Sequence, residues 1–183
     1  MARVDEILKF NNDFVNEGKY KEFQSTKFPT KEIAILSCMD TRLVELLPVA
    51  MNLKNGDAKI IKNAGGVVSH PFGSVMRSLL VAIYSLGVKE IYVIGHYDCG
   101  MQGLNSKAMI EKMKANGVSD DTFDMINCCG IDLDSWLKGF DDVQTSVSET
   151  VSAIKNHKLI PKNIEVYGFI IDPDTGKLEQ VTC

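Results

Sequence analysis

The chain has 183 residues, 45% of them hydrophobic and 24% charged, with 24 acidic against 20 basic side chains and a formal net charge of -4. This is ordinary composition for one soluble globular domain with a sizeable core, and it excludes a disordered chain. No basic stripe points to nucleic acid, no run approaches the roughly 18 uncharged apolar residues of a membrane helix, and the acidic start Met1-Ala2-Arg3-Val4-Asp5-Glu6 is not a signal peptide, so a cytoplasmic location is expected.

Val4, Ile7, Leu8, Phe14 and Val15 recur at helical spacing over residues 3–17, with Gly18 as the stop. Ile33-Ala34-Ile35-Leu36 is an apolar run of strand length, followed at once by Ser37-Cys38-Met39-Asp40-Thr41-Arg42. A Leu- and Val-rich helix is predicted over 43–51, bent or broken at Pro48. A second strand, 58–62, runs into the glycine turn Asn63-Ala64-Gly65-Gly66. Ser69 is placed to cap a helix over 70–86, with Pro71 in its first turn and Gly87 at its end.

Residues 90–94 form a third strand, leading into Gly95-His96-Tyr97-Asp98-Cys99-Gly100. Two or three helices are expected between residues 103 and 156, with Trp136 and Leu137 on a core-facing side. A fourth strand spans 164–171, and Asp172-Pro173-Asp174-Thr175-Gly176 turns into a last short strand over 178–182. The alternation predicts an α/β fold in one domain, residues 1–183. Its centre is a mostly parallel sheet of four strands flanked by helices, with a short antiparallel C-terminal edge strand.

Ligand sites of such sheets lie beyond the carboxyl ends of the strands. Cys38 follows the first strand, and His96 and Cys99 follow the third. Thiolate sulfur and imidazole nitrogen are zinc ligands, and three protein ligands leave a fourth tetrahedral position for water, the mark of a catalytic site. Each fragment alone is weak, because a buried Cys is usually inert core. Two fragments ending separate strands, with Gly95 and Gly100 permitting tight turns around the second, carry more. Asp40 and Arg42 have the spacing of a bidentate pair beside the metal, or of a surface ion pair capping the next helix.

Five cysteines at irregular spacing are no disulfide framework. Adjacent Cys128 and Cys129 read as reduced thiols in a helical region, and Cys183 as free. Met101, Met109 and Met113 read as helix packing, and His157 as a surface residue or a helix-end cation. The turn at Gly65 also hints at phosphate binding, but its spacing matches neither nucleotide motif.

Taken together, Cys-x-Asp-x-Arg and His-x-x-Cys resemble the β-class carbonic anhydrases. The likeness to their short, archaeal-type branch is closer still. It lies in Cys38-Met39-Asp40-Thr41-Arg42, in Asp57-Ala58-Lys59-x-Ile61-Lys62-Asn63-Ala64-Gly65, in Gly95-His96-x-Asp98-Cys99-Gly100-Met101 and in Gly168-x-Ile170-Ile171-Asp172-x-x-Thr175-Gly176, spread over residues 30–178. The resemblance implies Zn2+ held by Cys38, His96 and Cys99, and reversible hydration of carbon dioxide to bicarbonate and a proton by a zinc-bound hydroxide. Asp40 would accept the hydroxide's hydrogen bond, and Arg42 would keep Asp40 ionised and oriented. Two thiolates donate more charge than imidazoles, so the bound water should ionise above that of a three-histidine site.

Asn63, Ala64, Gly65 and Gly66 would line the substrate pocket, although the same stretch reads equally as a plain strand-to-helix turn. Candidates to take the proton away are His70, Tyr97 and Asp98, with buffer as the simplest acceptor. The larger plant-type members place a Gln before the first strand, where this chain has Lys27-Phe28-Pro29-Thr30, as the short branch also lacks it; a more apolar pocket follows. A homodimer or higher even oligomer is implied, with the arm 1–25 laid over the partner or over its own subunit. The rivals are a carbon disulfide or carbonyl sulfide hydrolase on the same scaffold, and a non-catalytic zinc-stabilised oligomer.

Overall fold

The computed structural model describes residues 2–182. In chain order its elements are α1 (Arg3–Asn16), β1 (Ile33–Cys38), α2 (Leu43–Ala50), β2 (Ala58–Asn63), α3 (Ser74–Leu86), β3 (Glu90–His96), α4 (Ser106–Ala115), α5 (Asp120–Cys128), α6 (Leu133–Leu137), α7 (Val143–Lys155), β4 (Glu165–Ile171) and β5 (Leu178–Val181). The strands lie in the order β2-β1-β3-β4-β5. The first four are parallel and β5 is antiparallel to β4. The predicted α/β class, with its antiparallel edge strand, is what the chain forms.

Central strands of a parallel sheet are buried on both faces and need continuous apolar sequence. β1 meets this condition, with all six residues buried. Ala34 and Leu36 of β1 and Ile91 and Val93 of β3 face α3 and α7, packing with Met76, Leu79, Val147 and Val151. Ile35, Ile94 and Ile171 face the other way, onto Leu43 and Leu47 of α2. The last turn is built by Asp172, whose Oδ1 accepts from the backbone N–H groups of Asp174 (2.8 Å) and Thr175 (2.9 Å).

Several expectations need correction. α3 starts at Ser74, not His70, and Gly73 rather than Ser69 precedes it. The reason is local: His70 Nδ1 accepts the N–H of Phe72, and His70 and Gly73 close a turn, so Pro71-Phe72-Gly73 is held out of the helix. Pro48 does not break α2, which continues for two residues beyond it with one hydrogen bond forfeited. Four helices, not two or three, separate β3 from β4. Trp136 is 67% exposed, because the five-residue α6 is too short to present a buried face. Met101 lies in a turn before α4, apart from Met109 and Met113. Gly95 sits inside β3 under Val143 and Val147 of α7, where a Cβ would come within 2.8 Å of both, so it serves packing rather than a turn.

No residue of α1 is buried, and Val4, Ile7, Leu8, Phe10 and Val15 are exposed. Among the described residues no helix is long and apolar enough to cross a membrane.

The glycine turn after β2 passes directly beneath the end of β1. Gly66 has φ +66°, and a Cβ there would lie 2.9 Å from the Cys38 backbone nitrogen. Gly87, after α3, has φ +76° but open space around it. Gly66→Ala is therefore expected to cost at least about 2 kcal/mol in urea denaturation, against about 1 kcal/mol for Gly87→Ala, which carries the left-handed backbone penalty alone. Equal costs would show that the close approach to Cys38 does not matter.

Candidate metal centre

β1 has β2 on one side and β3 on the other, so the connections leave in opposite directions and a crevice opens at the carboxyl ends of β1 and β3. Both strands run slightly further than the sequence suggested, and Cys38 and His96 are their last residues. Cys99 follows in the turn after β3, which Asp98 makes possible by adopting φ +52°. All three side chains are buried. Their ligand atoms lie within 4.8 Å of one another, and the two Sγ atoms are 3.8 Å apart.

The environment of His96 tests whether a metal fits. Its Nδ1 is 2.8 Å from the Tyr97 carbonyl, which can only accept, so Nδ1 carries the proton. Tyr97 is itself tied down by its N–H to Ile171 and by its hydroxyl, which donates to Glu179 at 2.8 Å. That leaves His96 Nε2 as a buried lone pair with no hydrogen-bond partner. An orphaned buried nitrogen beside two sulfurs is costly without a cation and well satisfied with one. The donor set, two sulfurs and one imidazole, suits zinc.

The sulfurs differ in readiness. Burial pushes the Cys38 thiol up, but without a cation the adjacent His96 ring, when protonated at Nε2 as well, and the backbone N–H groups of Gly65 and Asp40 outweigh it and bring the thiol down to about 7. Cys99 is pushed up to about 11, by burial first and then by the neighbouring Cys38. A divalent cation between them would favour both thiolates.

Asp40 and Arg42 form the bidentate pair. Nε and Nη2 of Arg42 donate to Oδ1 and Oδ2 of Asp40 at 3.1 and 2.9 Å. The Arg42 guanidinium holds the Asp40 carboxyl down at about 2, against the opposing effect of burial. Asp40 Oδ2 lies 3.8 Å from His96 Nε2, which brings the carboxylate to the edge of the ligand cluster.

A cleft of about 330 Å³ opens here, lined by Cys38, Met39, Asp40, Thr41, Ala64, Gly100 and Met101. Of the four turn residues expected around the substrate, Ala64 lines the cleft. Asn63 instead closes on Val67, donating to its carbonyl (2.7 Å) and accepting its N–H (3.1 Å). Gly65 and Gly66 are buried behind. A larger cavity of about 620 Å³, between α4 and α6, contains none of the ligands.

Sequence reasoning missed Lys62, whose Nζ donates to the Cys38 carbonyl at 3.1 Å and whose pKa burial lowers. Its place on β2, in register with Ser37, was the available signal. Among the proton-carrier candidates, Tyr97 is engaged with Glu179, Asp98 with Arg42, and His70 accepts from Phe72. Cys128 and Cys129 are free and exposed at the end of α5, while Cys183 lies outside the described residues. His157 is half-buried, donating from Nε2 to the Pro71 carbonyl at 2.9 Å.

Comparison with known proteins agrees with this geometry. The sequence profile of the carbonic anhydrase family matches residues 33–178. YtiB of Bacillus subtilis (strain 168), named as a candidate carbonic anhydrase, is 54% identical over 181 residues, covering 99% of this chain and 97% of that protein. The crystal structure of β-carbonic anhydrase isoform I (TvaCA1) from Trichomonas vaginalis superposes with a TM-score of 0.90 at 34% identity, covering 99% of this chain and 98% of that one. A carbon disulfide hydrolase of Acidithiobacillus thiooxidans is 27% identical over 177 residues, covering 93% of this chain and 87% of that protein.

Proposed function

The chain belongs to the β-class carbonic anhydrase family, and on that premise we propose how it works as a zinc-dependent enzyme for the reversible hydration of carbon dioxide to bicarbonate and a proton. The observation that carries the reading is the meeting of Cys38, His96 and Cys99 within 4.8 Å beside an ionised Asp40. Those three side chains hold the metal. Zinc supplies a Lewis acid that makes water nucleophilic near neutral pH.

Asp40 orients the reacting water by accepting its O–H at Oδ2, the oxygen nearer His96. With its carboxyl held at about 2, below the roughly 3.9 of a free aspartate, it stays an acceptor over the whole working range and loses that role only in strong acid. Arg42 keeps it ionised and turned to one side. Tyr97, through its carbonyl, fixes the tautomer of His96. Met39, Ala64 and Met101 give the cleft an apolar wall suited to a small linear molecule that has few polar contacts to offer. Buffer takes the released proton, because His70, Tyr97 and Asp98 are already engaged.

Within the family we assign the chain to the short branch, on the motifs at residues 38–42, 57–65, 95–101 and 168–176; the assignment concerns sequence type and not origin. Residues 1–183 are read as one domain, in which the arm 1–25 docks on a second copy to give a homodimer or a higher even oligomer. The exposed apolar face of α1 supports this. Light scattering should find at least a dimer, and removal of residues 1–25 should shift it to smaller species; an unchanged mass would dismiss the arm. Four free cysteines among the described residues suit the cytoplasm.

Asp40→Ala is expected to keep one zinc per chain and to lose about 100-fold or more of the hydration rate. Full rate at full zinc content overturns the role of Asp40. The wild-type rate should rise through and above neutral pH, and a profile already flat below neutrality contradicts the two-thiolate site. Carbon dioxide, carbonyl sulfide and carbon disulfide are to be assayed in parallel, because a relative is named for the last. Faster turnover of either sulfur compound assigns the chain to that chemistry, and bound zinc with no turnover at all assigns it to a structural role.

A further inference from the structure

We propose that Asp98 is a positioning residue for this reaction: it braces the second edge of the Arg42 guanidinium and so fixes the Asp40 carboxylate on the first. Arg42 Nη1 donates to Asp98 Oδ2 at 3.0 Å, and Nη2 donates to the Asp98 carbonyl, also at 3.0 Å. With the two bonds to Asp40, four of the five guanidinium donors are used. The inference rests on the roles given above to Asp40 and Arg42.

Two observations say that the carboxylate is there to act. The first is the backbone. Asp98 has φ +52°, a conformation that glycine adopts without cost and that an aspartate adopts at some expense. The turn between His96 and Cys99 therefore favours glycine, and the sequence supplies an acid. The second is exposure. The Asp98 side chain is 87% exposed, yet its Oδ2 stays within 3.0 Å of Arg42 Nη1. The Arg42 side chain is itself 36% exposed, and a single ion pair at such exposure holds its partner only weakly. Clamping both edges of a planar fork leaves it one orientation. Asp98 also sits between two ligands in the chain, so the brace ties the Asp40 side of the site to the turn that carries Cys99.

The test is Asp98→Gly beside Asp98→Asn. Glycine relieves the backbone and deletes the brace, while asparagine keeps an acceptor oxygen without the charge. The glycine variant is expected to retain its zinc and to melt no lower than wild type, yet to lose about tenfold in kcat at unchanged KM, with the asparagine variant in between. In 15N spectra of the zinc-loaded protein, the Arg42 Nη signals should be separate in wild type and averaged in Asp98→Gly. Adding Asp98→Gly to Arg42→Ala should cost nothing further. Wild-type kcat in Asp98→Gly, loss of its zinc, or additive losses in the double variant would each overturn the inference. If Asp40→Ala also keeps full rate, the underlying reading of Asp40 fails with it; if only Asp98→Gly does, the brace alone fails.

Discussion

Two sulfurs and one imidazole nitrogen from chain segments as much as 61 residues apart have to reach a common point in a buried place, and most of the structure follows from that requirement. A parallel sheet meets it at little cost. β1 and β3 are neighbours in register, Ser37 beside Ile94, so strands that end together deliver Cys38 and His96 side by side. The chain then doubles back through Asp98 to bring in Cys99. Apolar burial supplies the rigidity: α3 and α7 cover one face of these strands and α2 the other. Without that packing, two thiols that burial discourages from ionising would gain nothing by lying 3.8 Å apart.

Electrostatics then separates two kinds of acid around the centre. The thiols sit where burial opposes their charge, and the His96 ring, nearby backbone N–H groups or a cation permit it. Asp40 sits a few ångströms away, where a guanidinium guarantees its charge. On the proposed reading the difference has a use, since ligands must give electrons to a metal while the orienting group must remain an acceptor beside it. Lys62 adds a positive charge behind Cys38, through the Cys38 carbonyl. The backbone contributes as much as the side chains: Tyr97 sets the His96 tautomer with a carbonyl, and Gly66 lets the turn after β2 pass under Cys38.

Much of this was legible in the sequence, and the boundary has physical causes. The buried strands announced themselves because both faces are covered, so Ile33-Ala34-Ile35-Leu36 needs no polar residue. The three ligands were legible because strand ends are where such sheets place sites. The start of α3 was not, because His70 captures a nearby N–H and helix-start rules do not see that competition. Trp136 was misplaced because an apolar side chain was taken for a core one, although α6 is too short to bury it. The contact between Asp98 and Arg42 spans 56 positions and depends on a positive φ at a residue other than glycine. Spacing carries no trace of either, so Asp98 read only as a loose proton carrier.

On the proposed reading two sulfurs and one nitrogen hold the metal, and Arg42 keeps Asp40 off it. Zinc-edge X-ray absorption on the purified protein at neutral pH addresses this directly. The expected result is a shell of two sulfurs at about 2.3 Å and two nitrogen or oxygen neighbours at about 2.0–2.1 Å, unaltered in Asp40→Asn. A shell without sulfur, one with four sulfurs, or a first shell that changes when Asp40 is replaced would contradict it.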